Sequence, residues 1–123
     1  ELKVKIDEIN SLASDIATIN KQINVIELSG TPANELRDKR ELLVDRLSQI
    51  VDIEAREYPI VDSNNPERET GGHQYIITMA AGQPLVDTNE FRNLKCIARP
   101  DTQMRIWLFL VTPIRLLILI FQQ

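Results

Sequence analysis

Cysteine occurs once in the 123 residues, at Cys96; histidine occurs once, at His73; and glycine appears only four times. A single cysteine rules out an internal disulfide. A lone histidine without paired cysteines leaves a zinc site dependent on two or three carboxylates, and no carboxylate spacing supports one. Asp62-x-Asn64-x-Pro66 faintly echoes a calcium loop, but Glu67 stands where such a loop needs glycine and His73 where it needs glutamate. Gly71-Gly72 is too short to cradle a phosphate and does not open a helix. Positive charge is also short: 14 Lys+Arg stand against 18 Asp+Glu, a net charge of -4. A duplex binder needs a basic face, so nucleic acid is not an expected partner. No signal peptide stands at the start. Glu1 lies inside a helical pattern, which suggests a piece of a longer chain.

No serine sits near His73 in sequence or in a nucleophile-elbow motif. His73, between a Gly-Gly pair and a strand, is assigned no function, and Cys96 is read as a buried, inert thiol on a strand. The expectation is therefore a protein with no catalytic residue, no metal, no cofactor and no enzymatic activity.

What the chain has is heptad periodicity. Leu2, Ile9, Ile16 and Ile23 recur every seven residues, and Leu12, Ile19 and Ile26 form a second series with the same step. The two series interleave three and four apart, the a/d pattern of a helical seam. Lys5 breaks the second series, and Ile6 beside it is expected to compensate. A second pattern follows with Leu36, Leu43 and Ile50 seven apart, Leu47 between them, and Arg40 one heptad before Leu47. Gly30 suits the left-handed end of a helix. Thr31 is a good N-cap and Pro32 a good first helical residue. The pattern predicts helices near 3–28 and 32–51, antiparallel, with Ile19, Ile23 and Ile26 facing Leu36, Leu43 and Leu47. Arg37 to Glu41 is a charged run, normally a solvated face. Arg40 is its exception: it is placed to lay its methylenes on the seam and reach an acidic partner. With Arg40 on the seam, Arg40→Leu should leave the isolated hairpin as stable as before or more so, because an apolar residue fills the position at no desolvation cost.

Beyond Ile50 the period changes. Ile53 to Glu57 alternates as a half-exposed strand, and Tyr58-Pro59 is expected to end it. Residues 62–73 read as an exposed loop. Gln74–Ala81, Pro84–Val86 and Leu94–Arg99 read as further strands, with Pro84 confining its strand to an edge or to its own first position. The fold class is α+β: an antiparallel two-helix coiled-coil hairpin (1–51), a small antiparallel β region (52–103) and an apolar tail (104–123).

Five phrases in order carry a resemblance. They are Asn10-Ser-Leu-Ala-Ser-Asp-Ile-Ala-Thr-Ile-Asn-Lys-Gln-Ile23, Gly30-Thr-Pro-Ala-Asn-Glu-Leu36, Asp38-Lys-Arg-Glu-Leu-Leu-Val-Asp-Arg-Leu-Ser48, Val51-Asp-Ile-Glu54 and Gly82-Gln-Pro-Leu-Val86. At these spacings the set resembles the bacterial flagellar hook-associated protein 1 family over roughly residues 3–99. The resemblance implies a structural subunit of the hook–filament junction, self-assembling by helix packing. It further implies identical subunits and neighbouring hook and junction proteins as partners. The expected location is extracellular, in the flagellum, reached by export without a cleaved signal peptide. The family's terminal helical segments have no counterpart here.

The tail fits that family poorly. Residues 1–103 carry 12 Lys+Arg and 18 Asp+Glu, while residues 104–123 carry only Arg105 and Arg115. As a helix, Ile106 to Phe121 would span about 24 Å, short of the ~30 Å hydrocarbon core, and Pro113 and Arg115 interrupt it. The other reading is a membrane-anchored coiled-coil interaction module, with the membrane a partner only if residues 106–121 are a real anchor. The abrupt change of composition favours a shifted reading frame or a mispredicted gene end near residue 100. On that account the tail should make few specific contacts with the hairpin.

Overall fold

The seven-residue spacing of large aliphatic side chains produces a first helix, α1 (Leu2–Glu27), and a second, α2 (Asn34–Ser48), running back along it. The structure, a computed structural model, describes residues 2–80, 82–98, 105–111 and 115–121; at Leu2, Cys96–Ala98 and the last two segments it describes the backbone alone.

α1 buries more than one seam. Ile9, Leu12, Ile16, Ile19 and Ile23 are buried, and so are Ile6, Ala13, Ala17 and Asn20 on the adjoining stripe. Two stripes are needed because α1 lies between α2 on one side and strands on the other. Lys5 is exposed while Ile6 is buried, so the chain fills the broken heptad position one residue later.

The connection is longer than Thr31 and Pro32 suggest, because α2 begins only at Asn34. The turn that follows α1 ends at Gly30, whose φ of 92° is open to glycine and whose N–H donates to the Glu27 carbonyl at 3.0 Å. Ala33, not Thr31, occupies the N-cap position of α2, with no capping side chain of its own. The Glu27 carboxylate from α1 takes that place, accepting the Ala33 N–H at 3.3 Å. Ile50 and Val51 lie beyond the end of α2.

The β region begins with β1 (Ile53–Val61), β2 (Glu69–Met79), β3 (Pro84–Asp87) and β4 (Glu90–Phe91), which form one antiparallel sheet in chain order. Pro59 was expected to end the first strand, but β1 runs through it. As an edge strand β1 loses nothing by the missing N–H. The expected loop 62–73 shrinks to 62–68, closed by the Asp62 N–H on the Arg68 carbonyl at 2.8 Å. Glu69 to His73 belong to β2 instead. Pro59 pairs with His73 and Val61 with Glu69, so three residues of β2 stand opposite Ile60 alone. Gly71, at φ 94°, makes this bulge possible. A Cβ on Gly71 would also lie 2.8 Å from the Glu27 carbonyl oxygen, so the bulge lets the end of α1 cross the strand directly.

The remaining strand, β5 (Asn93–Ala98), does not extend that sheet. It pairs antiparallel with β6 (Arg105–Val111), and β6 with β7 (Arg115–Phe121), as a second sheet. Residues 105–111 and 115–121 of the tail are thus extended backbone rather than helix, and their Ile, Leu, Phe and Val residues suit strands. The expected scarcity of contacts between tail and hairpin concerns side chains outside the described residues.

One core joins the helices to both sheets. Ile6, Ile9, Leu12, Ala13, Ile16 and Ala17 of α1 cluster with Leu47 of α2, Ile77 and Met79 of β2, Leu85 and Val86 of β3 and Leu94 of β5. A smaller cluster at the hairpin's closed end packs Ile19, Ile23 and Ala33 against Leu36 and Leu43.

Candidate functional site

Where the hairpin meets the sheet, the apolar packing gives way to a network of charges and amides. Arg40 comes from the seam face of α2 and is 6% exposed. Its guanidinium lies 4.0 Å from the ring centroid of Tyr75 on β2. One nitrogen donates to Asn20 Oδ1 of α1 at 3.0 Å and another to Glu57 Oε2 of β1 at 3.2 Å. One turn earlier, Arg37 grips Glu27 with two bonds, Nε to Oε2 at 2.7 Å and Nη2 to Oε1 at 2.6 Å, and reaches Glu57 as well. The His73 ring completes the group, with Nδ1 3.5 Å from Glu27 Oε1 and 3.4 Å from Arg37 Nη2.

These contacts set the ionisation. The Arg37 hydrogen bond holds the Glu27 carboxyl down at about 2, against the opposing effect of burial and with help from the Ala33 N–H. Arg37 is raised in return, chiefly by its bond to Glu27. Burial pushes Glu57 up, but its bond to Arg37 and the charge of Arg40 together outweigh it, and its net shift is downward. Burial raises the Tyr75 hydroxyl.

Three asparagines of α1 extend the network to the strands. Asn24 donates to the His73 carbonyl and accepts its N–H, both at 2.9 Å. Asn10 treats Leu94 likewise, at 2.9 and 2.7 Å. Asn20 donates to the Thr88 carbonyl at 2.7 Å while accepting from Arg40. Among the described residues no buried side-chain nitrogen or oxygen lacks a partner. The network therefore binds α1, α2, β1, β2, β5 and the β3–β4 turn to one another, with its donors and acceptors engaged in doing so.

Of the twelve predicted seam positions, Ile9, Leu12, Ile16, Ile19, Ile23, Arg40 and Leu47 lie in the interior. Leu36, Leu43 and Ile50 are half-buried and packed against it. Ile26 is 36% exposed. The side chain of Leu2 falls outside the described residues. Ile26 turns away because Glu27, beside it, swings inward to meet Arg37. The sequence reading did not pick out Asn10, Asn20, Asn24, Glu27, Arg37 or Glu57. The asparagines did leave a signal: each directly follows a seam isoleucine (Ile9, Ile19, Ile23), in a helix interior where asparagine is a poor helix former. Nothing marked Glu27 and Glu57 as partners, because they come together only in the folded chain.

Among the described residues, no group of histidine, cysteine, aspartate or glutamate could hold a metal ion, and no helix is long and apolar enough to cross a membrane. Hairpin, sheets and interlocking network define a structural helical module. The protein-family model described as "Flagellar hook-associated protein FlgK helical domain" matches residues 1–113. The chain belongs to that family. The match continues past residue 99, where the resemblance read from the sequence stops, takes in β6 and ends before β7. Flagellar hook-associated protein 1 of Escherichia coli (strain K12) is 36% identical over 94 residues, 75% of this chain and 15% of that protein. Its counterpart in Bacillus subtilis (strain 168) is 45% identical over 53 residues, 43% of this chain and 10% of that protein. The solved structure of the flagellar hook junction protein FlgK from Burkholderia pseudomallei superposes with a TM-score of 0.63 at 30% identity, over 86% of this chain and 16% of that one. The chain thus spans between 10% and 16% of the length of these relatives. None of these matches supports the membrane-anchored module.

Proposed function

We propose that this chain is a structural part of a subunit at the junction between the flagellar hook and the filament. The family match over residues 1–113, on a helical hairpin locked to its sheet, is the observation that carries this reading. The assembled partners are identical subunits and the neighbouring hook and junction proteins, and the site of assembly is outside the cell. Export proceeds through the flagellar channel without a cleaved signal peptide. The subunit catalyses no reaction; its part is mechanical. Ile9, Ile16, Ile19 and Ile23 are covered by the chain's own α2 and strands, so helix packing between subunits uses other faces.

Deletion of the parent gene in its host tests the assignment. The expected phenotype is cells with hooks of normal length that carry no filaments, and cells that still bear attached filaments would rule it out. Export is read separately. In a strain without filaments the parent protein should accumulate in the medium with its N-terminus uncut; retention in the cell, or a shortened N-terminus, would refute that part.

A further inference from the structure

We propose that Asn10 and Asn24 are edge guards: their side chains close strand edges of β5 and β2 that no neighbouring strand covers, against pairing with a strand from another molecule. This inference rests on backbone geometry and does not depend on the flagellar assignment.

Along β2 the pairing with β3 reaches Ile76 opposite Asp87 and goes no further. The next outward carbonyl, on Tyr75, accepts the Thr88 N–H at 2.7 Å. Beyond it stands His73. His73 is opposite Pro59 in the β1 ladder, yet both its N–H and its carbonyl are bonded to Asn24 at 2.9 Å. Its main-chain groups therefore point away from β1, to the side that β3 has left open. β5 repeats the arrangement at the outside of the second sheet. Leu94 lies opposite Leu110 of β6, while its N–H and carbonyl are both taken by Asn10, at 2.7 and 2.9 Å.

A carboxamide carries a donor and an acceptor side by side, as a peptide group does, so it docks on a strand residue as a neighbouring strand would. Unpaired N–H and C=O groups on a strand edge are templates for another chain, and natural sheets cover or blunt them. Asn10 and Asn24 are two heptads apart, hence on nearly the same side of α1, and each covers a different sheet with the same two-bond geometry. One helix face thereby closes both edges.

The test uses the full-length parent protein carrying Asn10→Ala and Asn24→Ala together. The unaltered protein and Asn64→Ala, in the exposed 62–68 loop, serve as controls. Amide hydrogen exchange should quicken roughly tenfold at His73 and Leu94, as expected for loss of a hydrogen bond in an otherwise folded chain. In sedimentation velocity at micromolar concentration, the double variant should form concentration-dependent dimers or larger species that neither control forms. A folded double variant that sediments as the unaltered protein does at every concentration overturns the proposal. Asn10→Ala alone, remote from the charge network, decides the matter where the double variant does not fold. Association of that variant supports edge guarding, and unchanged sedimentation refutes it.

Discussion

Arg40 occupies a heptad position that normally holds an apolar side chain, and its surroundings reverse the effect of replacing it. It has the acidic partner that the sequence allowed for, Glu57, and also Asn20 and the Tyr75 ring. Arg40→Leu leaves Asn20 Oδ1 without its donor and takes one of two cations from Glu57. Removing one member of a buried ion pair is costly, although Glu57 is 27% exposed and keeps Arg37, which reduces the loss. The expected destabilisation is about 2 kcal/mol, read as a lower urea midpoint at pH 7; an unchanged or higher midpoint would mean the pair is dispensable. Glu27 supplies a pH dependence. Its carboxyl falls from 4.5 to about 2 on folding, so the stability it contributes is complete above pH 4.5 and lost as the pH falls towards 2. Glu27→Gln should cost about 2 kcal/mol at pH 7 and flatten the stability curve between pH 4.5 and 2, which urea titrations at several pH values would show. The sequence pointed to Arg40 because periodicity alone places it. It did not point to Glu27, whose partner and role are set by the hairpin turn.

At the scale of single elements, the helices were legible and the strand boundaries were not. A seven-residue repeat of isoleucine and leucine has few other readings, so α1 and α2 followed from it to within a few residues at most ends. The Pro59 and Gly71-Gly72 signals misled because the same residues serve loops and strand edges alike. Proline is compatible with an outer strand and glycine with a bulge, and only the neighbouring strand tells which. Ile26 shows a limit within the helix itself: the heptad continues to it, but the packing stops at Ile23. Ile23, 1% exposed, should lose roughly 3 kcal/mol on going to alanine, while Ile26→Ala should cost under about 1 kcal/mol. Similar losses in thermal denaturation would place both on the seam. Two of the three glycines with φ near +90°, Gly30 and Gly71, separate in the same way. Gly30 has open space around its missing Cβ, so Gly30→Ala should cost only backbone strain, about 1 kcal/mol. Gly71→Ala adds a 2.8 Å clash with the Glu27 carbonyl, and backbone cannot swing aside as a side chain can. It should cost at least about 3 kcal/mol and disturb α1's last turn as well as β2.

For the whole molecule, the question is whether the hairpin is an independent unit. The heptads suggest one, since two antiparallel helices can bury a seam between them. The packing argues otherwise. In α2 only Arg40 and Leu47 are buried, and two of Arg40's three partners, Glu57 and Tyr75, are on the sheet. On α1, Ile6, Leu12, Ala13, Ile16 and Ala17 share a cluster with Ile77, Met79, Leu85, Val86 and Leu94, all of which lie beyond residue 51. Asn10 and Asn24 likewise find both of their partners on strands. Without the β region that face of α1 would be apolar surface in water, and α2, at 15 residues, is at the length where an isolated helix is marginal. A peptide of residues 1–51 should therefore show well under the helix content it has in the whole chain, and no cooperative thermal transition. Circular dichroism against temperature measures both. A sharp transition with full helix content in a peptide shown by sedimentation to be monomeric would establish the hairpin as a folding unit of its own, and would make the interlocking network a refinement of that unit rather than a condition for it.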